Sequence, residues 1–202
     1  MALTDAGERV AWEALAALDP ADVCARAAVA HDPAAGTYLL DSFGTRFAVS
    51  PSERTILSLE PAGEVFLKRF AYFFRLSVLG YLAKAAAVAP AGTLVNPSGL
   101  PGGEIYFRGS HVLPLDGLAA RYGSDATAFL AAGAARGGHR VAHGDAAVEL
   151  PALPRVPATL ILWTADVEFP ARADLLFDAT APRHLPLDLL WSVAMMSTLS
   201  MM

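Results

Sequence analysis

The feature that most constrains the fold is the apolar segment at 64–87, EVFLKRFAYFFRLSVLGYLAKAAA. Lys68 and Arg75 share one side of a helix, whereas large apolar residues cover most of the remaining circumference. Leaving those side chains in water would cost roughly 1.5–3 kcal/mol each. The segment therefore predicts a long helix at the centre of the fold, packed on several sides.

Composition limits the class of protein. The 202 residues are 54% hydrophobic, enough to bury a sizeable core in one domain. A net charge of −5, with thinly spread basic residues, argues against nucleic-acid binding. Charged residues interrupt every long apolar run, so we expect no membrane span and a soluble protein. The single cysteine, Cys24, cannot form an intrachain disulfide and favours a cytoplasmic location.

Turn and capping residues divide the rest of the chain into helices and short strands. Asp19 and Pro20 predict the start of a helix, and turn residues separate three strand-like runs between 36 and 59. The apolar run from Leu160 to Trp163 is predicted to be a central strand. The order does not alternate as βαβ units, so we predict a single α+β domain over 1–202. Its antiparallel strands form two meander-like groups, packed with the long central apolar helix and further helices.

The segment GLPGGEIYFRGSHVLPLDG, at 99–117, is the first candidate binding site. Gly102 and Gly103 allow backbone amides to approach an anion, Arg108 offers a planar fork for a carboxylate or phosphate, and Ser110 and His111 add hydrogen-bonding groups. Alternation in a predicted strand places Ile105 in the core and Arg108 away from it. The alternative is a tight turn whose arginine pairs with a surface acid.

Two later stretches carry further candidates. Trp163, Asp166 and Glu168 lie at the exit of the predicted central strand, where two carboxylates on one side suit a cation, a shared proton or a basic group. Asp178 ends a later strand and is positioned to orient His184. In each case the alternative is an ordinary turn or cap.

Four strings follow one another along the chain. They are the N-terminal AWEALAALDPADVCARAAVAHDP, then LPGGEIYFRGSH, the W-x-x-D-x-E-F-P pattern beginning at Trp163, and FDATAPRHLP. Taken together in this order, they resemble the bacterial and archaeal DUF3786 family, a domain of unknown function. The resemblance covers most of the chain and implies no activity. Relatives with a cysteine-rich iron–sulfur segment would belong near anaerobic cofactor metabolism, but this chain has only Cys24, so no cluster is carried over.

These residues support three functional hypotheses. The first is a small anionic ligand or cofactor, of unknown identity, bound in one polar cleft formed by all three stretches. The second is a non-enzymatic accessory protein that docks a protein partner, or a second copy of itself, through an apolar helix. The third is an acid–base enzyme that uses Asp178 and His184. The spacing of His139 and His143 lacks a third ligand, so we expect no zinc site.

Overall fold

The computed structural model describes residues 2–202, with side chains from residue 6 onward. In this part of the chain the seven α-helices are α1 (Ala2–Ala16), α2 (Pro20–Ala27), α3 (Ala71–Lys84), α4 (Gly103–Tyr106), α5 (Leu115–Tyr122), α6 (Ala126–Ala134) and α7 (Leu187–Ser200). The strands are β1 (Ala30–Asp32), β2 (Thr37–Ser42), β3 (Thr45–Ser50), β4 (Thr55–Ser58), β5 (Leu94–Val95), β6 (His139–Val141), β7 (Ala146–Leu153), β8 (Val156–Trp163) and β9 (Arg172–Asp178).

The strands form two antiparallel sheets, which confirms the predicted α+β class. One sheet has four strands in the order β1-β2-β3-β4 and contains the predicted meander. The other has five strands in the order β5-β9-β8-β7-β6. Strand β8 lies in the middle of this second sheet, as its uninterrupted apolar run predicts.

Local capping chemistry explains where several helices begin. The Asp19 side chain accepts a hydrogen bond from the amide of Ala21, and Pro20 follows as the first residue of α2, as predicted. At the start of α6, the side chain of Asp125 accepts a hydrogen bond from the amide of Ala128 at 2.8 Å.

Helix α3 is the central helix predicted from the apolar segment, although it is shorter than expected. A π-helical turn at Phe66–Phe70 precedes it, and it ends at Lys84. It packs against α1, α2 and α7. Phe74 is buried with its ring centroid 4.7 Å from that of Phe47, whereas the neighbouring Phe73 is 45% exposed. One side of this helix therefore reaches solvent.

The five-stranded sheet has an inner face that belongs to the core. Paired residues of antiparallel strands point to the same side, and Val148, Leu160 and Leu175 form one such row. All three are buried, and helices α5, α6 and α7 pack against these strands. The opposite face, which we call the outer face, is described with the candidate site.

The two sheets meet through close backbone contacts. The Ser42 hydroxyl donates a 2.5 Å hydrogen bond to the carbonyl of Ala152, and the amide of Phe43 donates one of 2.7 Å to the carbonyl of Pro151. Gly44 and Gly137 approach so closely that a Cβ atom at Gly44 would lie 2.7 Å from the Cα atom of Gly137. Both glycines have a positive φ, so neither position accommodates a side chain.

Candidate functional site

The outer face of the five-stranded sheet carries most of its polar side chains. Register places Trp163 of β8 beside Arg172 of β9, and Thr159 between Glu149 of β7 and Leu176. The segments that reach this face are irregular ones, the loop around 90–92 and the turn at 143–145. Cavities lie at its two ends.

The first cavity, of about 610 Å³, lies where β8 leaves the sheet. Its lining residues are Asp145, Trp163, Thr164, Asp166, Phe169, Pro170 and Arg172. The guanidinium carbon of Arg172 lies 3.9 Å from the centroid of the Trp163 ring, within the range of a cation–π interaction. We call this the Trp163 cavity.

The two carboxylates of the Trp163 cavity each use one oxygen to hold local structure. Oδ1 of Asp166 accepts hydrogen bonds from the amides of Glu168 and Phe169, and these bonds lower the pKa of Asp166. Oδ2 of Asp145 accepts from the amide and hydroxyl of Thr164. In each carboxylate the second oxygen has no hydrogen bond to a described residue, so it can accept one from a ligand.

The guanidinium of the Trp163 cavity has no ion-pair partner among the described residues, although two carboxylates line the same cavity. Within the described residues, Arg172 forms no salt bridge and no hydrogen bond through its side chain, and it is exposed. The adjoining loop also presents apolar side chains to solvent, since Val167 is fully exposed and Phe169 is 66% exposed. The cavity thus combines an aromatic surface, a free guanidinium and two carboxylates.

The glycine-rich stretch adopts a helix where the sequence predicted a strand. Tyr106 and Phe107 donate backbone hydrogen bonds to the carbonyls of Gly102 and Gly103, closing the short helix α4. Ile105, expected in the core, is 84% exposed. The backbone of Gly103 lies so close to the carbonyl of Pro97 that a side chain at this position would clash with it. The strand prediction is therefore wrong, and with it the alternation argument for Arg108.

Side chains from this stretch point in different directions. Arg108 is exposed and lies 3.5 Å from Glu104, its neighbour one helical turn away, and Ser110 is exposed. His111 packs between Tyr106 and Trp191, with centroid distances of 4.5 and 5.3 Å. Its side chain lines a separate cavity of about 210 Å³ that also includes Asn96, Phe107 and Leu175.

Asp178 is a buried structural carboxylate at the end of β9. Burial raises its pKa, but hydrogen bonds from Thr180, Ala91 and Gly92 together outweigh that effect and leave the pKa lowered. The Gly92 amide donates to Oδ2 at 2.7 Å, and the Thr180 hydroxyl donates to Oδ1 at 2.6 Å. Asp178 therefore anchors the loop that leads into β5.

His184 is 1% exposed, and neither of its ring nitrogens has a hydrogen-bond partner among the described residues. Burial lowers the pKa of His184, and the positive charges of Arg155 and Arg183 lower it further, while Asp178 opposes them. Asp178 and His184 are not hydrogen-bonded to each other. The pair thus lacks the contact on which the acid–base hypothesis depends.

Comparison with known families gives a match over most of the chain. The model of DUF3786, a domain of unknown function, matches residues 19–199. The chain belongs to the DUF3786 family. No curated protein and no solved structure matches it significantly. The predicted resemblance is confirmed, and the structure shows that the W-x-x-D-x-E-F-P string of this DUF3786 protein forms the last residue of β8 and the loop beside the Trp163 cavity.

The structure distributes the ten predicted site residues of the DUF3786 domain over several places. Trp163 and Asp166 share the Trp163 cavity, and Glu168 lies in the same loop. Asp178 lines a different cavity, at the other end of the outer face. His184 is buried in the interior. The remaining five, from the glycine-rich stretch, are Gly102, Gly103, Arg108, Ser110 and His111, and His111 lines a third cavity.

Sequence reasoning did not select Asp145, Phe169 or Arg172, which complete the Trp163 cavity. Phe169 lies within the quoted family string, from which the sequence analysis selected Trp163, Asp166 and Glu168. Arg172 could have been found from strand pairing, since a hairpin joining β8 to β9 brings it opposite Trp163. Asp145 enters through the turn before β7, for which the sequence has no motif.

Two further findings concern the described part of the chain. Between residues 2 and 202, no helix is long and apolar enough to cross a membrane. Among the side chains from residue 6 onward, no group of three or more His, Cys, Asp or Glu residues is arranged to hold a metal ion.

Proposed function

We propose that this DUF3786 domain is a cytoplasmic binding domain for a small aromatic zwitterion, such as an aromatic amino acid, and that the Trp163 cavity is its site. The observation that carries the proposal is the free guanidinium of Arg172 on the ring of Trp163, beside an exposed Phe169. A planar guanidinium is suited to pair with a carboxylate through two hydrogen bonds.

The charge of the cavity determines which ligand class fits. An anionic group on the ligand would pair with Arg172, as the anionic-ligand hypothesis requires. However, Asp145 and Asp166 also line the cavity and would repel a purely anionic molecule. Their free oxygens favour a ligand that carries an ammonium or N–H donors as well. The proposal therefore refines the anionic ligand to a molecule with both charges.

We infer that the ligand carries an aromatic ring because Phe169 and Pro170 give the Trp163 cavity an apolar wall. Phe169 is largely exposed in a loop that the Asp166 cap holds in place, so it is available to a flat ring without refolding. Burying an aromatic surface against such a side chain is favourable, and ring pairs contribute about 0.5–1.5 kcal/mol beyond the area effect.

The test is a titration of the purified protein with L-phenylalanine, phenylacetate and phenethylamine, followed by calorimetry and by the shift of the melting temperature. We expect L-phenylalanine to bind most tightly, because only it uses both charges. Arg172→Ala should abolish binding of L-phenylalanine and phenylacetate. Arg140→Ala removes an exposed arginine of β6 and should leave the affinity for both compounds unchanged. Equal affinity in the Arg172 and Arg140 variants, or no binding of any probe to the parent, would overturn the proposal.

A second candidate function, docking of a protein partner or a second copy, is favoured by one observation. Phe73, Trp191, Met195 and Leu199 line an apolar depression between α3 and α7, and Phe73 is 45% exposed. If this surface mediates self-association, sedimentation of the parent should show a dimer that Phe73→Ser dissociates. A parent that remains monomeric at high concentration would exclude self-association through this surface.

A further inference from the structure

The second cavity of the outer face has a different chemistry from the first. Its volume is about 220 Å³, and its lining residues are Pro90, Gly92, Leu94, Val141, His143, Glu149, Pro157, Thr159 and Asp178. Two of these side chains are carboxylates, and no lysine or arginine is among them. We call it the Glu149 cavity, after the carboxylate that lacks a firm partner.

Glu149 is half-buried, but its carboxylate lacks a hydrogen-bond partner among the described residues. Its side chain is 31% exposed, and its Oε1 atom lies 3.8 Å from Nε2 of His139, which is longer than a hydrogen bond. No other described residue donates to this carboxylate. Asp178, by contrast, is fully used by the amides and hydroxyl that it anchors. The carboxylate available to a ligand in this cavity is therefore that of Glu149.

Thr159 supplies an independent second observation. It is 1% exposed, it lines the cavity, and its hydroxyl forms no hydrogen bond with the side chains or backbone of the described residues. Register places it directly beside Glu149 on the outer face. Because Thr159 is almost entirely buried and yet lines the cavity, its hydroxyl, next to a carboxylate without a firm partner, is available to accept a hydrogen bond from a ligand.

We propose that the Glu149 cavity is a second binding site, and that it takes the end of a primary amine or a guanidinium compound. The charged end would donate hydrogen bonds to Glu149 and to the hydroxyl of Thr159. The alkyl part of the ligand would lie against Leu94, Pro90 and Pro157. A negative cavity with apolar walls selects such a ligand over an anion or a neutral alcohol.

The site is independent of the Trp163 cavity and does not rest on the function proposed for it. Thr159 and Trp163 are four residues apart on β8, a separation of about 13 Å along a strand. The turn containing Gly144 crosses Ile161 between them. Asp145 on one side of this turn lines the Trp163 cavity, while His143 on the other side lines the Glu149 cavity.

The experiment is a titration with n-butylammonium and n-butylguanidinium at constant ionic strength, observed by calorimetry and by the backbone amide NMR signals of the protein. 1-Butanol is the matched neutral control, since it has the same alkyl chain without the charge. We expect both cations to bind, to shift the amide signals of Gly92 and Thr159, and to bind more tightly than the alcohol.

Variants assign the binding to the proposed residues. Glu149→Gln keeps the shape of the side chain, and we expect it to weaken amine binding by about tenfold or more, the factor for a lost charge-assisted hydrogen bond. Thr159→Val should weaken it by a smaller factor. Glu168→Gln, which changes an exposed carboxylate outside the cavity, is the matched control and should bind as the parent does.

Three results would overturn the inference. They are an affinity for the alcohol equal to that for the amine, an unchanged amine affinity in Glu149→Gln, and a loss in Asp145→Asn as large as that in Glu149→Gln. The last result would mean that the amine occupies the Trp163 cavity. Failure of L-phenylalanine to bind would affect only the function proposed for that cavity, so the two failures are distinguishable.

Discussion

The inner and outer faces of the five-stranded sheet are made by the same strands but have opposite chemistry. On the inner face, Val148, Leu160 and Leu175 are buried under helices. On the outer face, Thr159, Glu149 and Arg172 lie among irregular segments and cavities. The alternation of a strand lets one side pack under helices while the other carries the polar side chains that line the cavities. Substitutions on the two faces should therefore affect different properties.

The largest effect is expected at the centre of the inner face. Leu160→Ala removes a fully buried side chain from the middle strand and should lower the free energy of unfolding by about 2–5 kcal/mol. Urea unfolding measures this change in free energy. The control is Leu176→Ala, which shortens a side chain on the outer face of the adjacent strand and should cost less. A loss at Leu176 as large as that at Leu160 would contradict the distinction between the faces.

A substitution at Asp178 tests whether this end of the outer face supports the fold. Asp178→Ala leaves the amides of Ala91 and Gly92 and the Thr180 hydroxyl without their acceptor, at a cost of about 1–3 kcal/mol. Asp174→Ala, on the same strand and face, should cost much less. Hydrogen exchange should also accelerate at Ala91 and Gly92 in the Asp178 variant, and unchanged exchange there would show that the loop is held by other contacts.

The pH dependence of unfolding has a predicted direction at His184. Its pKa is lowered in the folded protein by burial and by Arg155 and Arg183, so the unfolded chain takes up this proton first as pH falls. The free energy of unfolding should therefore decrease below about pH 6.5, the ordinary value for histidine.

His184→Phe should remove that part of the decrease. Urea unfolding at several pH values between 5 and 8 measures it, with His143→Phe, an exposed histidine, as the control. A slope between pH 5 and 7 that is the same in the parent and in His184→Phe would contradict the prediction.

The smallest effect on stability is expected at Arg172. Because its contact with Trp163 is exposed, Arg172→Ala should change the free energy of unfolding by less than about 1 kcal/mol while it abolishes ligand binding in the Trp163 cavity. Thermal unfolding measures the first quantity and calorimetry the second. A loss of several kcal/mol would show that the residue supports the fold instead.

Periodicity and turn residues were sufficient to predict the frame of this molecule. The run at Leu160–Trp163 became the middle strand because a strand buried on both sides has no polar alternation to preserve. The Asp19-Pro20 pair began a helix because its capping chemistry is local. These features depend on residues that are neighbours in the sequence.

The glycine-rich stretch could not be predicted in the same way. Residues 104–107, EIYF, have strand propensity, but Gly102 with its positive φ and the close approach of Gly103 to Pro97 direct the chain into a helical turn. The candidate site depends likewise on distant pairings. Trp163 was selected from its position, but Arg172 becomes its partner only through the register of two strands.

The contact between the two sheets also bears on how the chain folds in time. The hydroxyl of Ser42 bonds to a carbonyl 110 positions further along the chain, and Gly44 meets Gly137 in the same region. Contacts between such distant residues slow folding, because a long loop must close before they form. During synthesis, the hairpin of β2 and β3 leaves the ribosome long before β7 exists, so the amide of Phe43 remains without its acceptor, the carbonyl of Pro151, until most of the protein has been made.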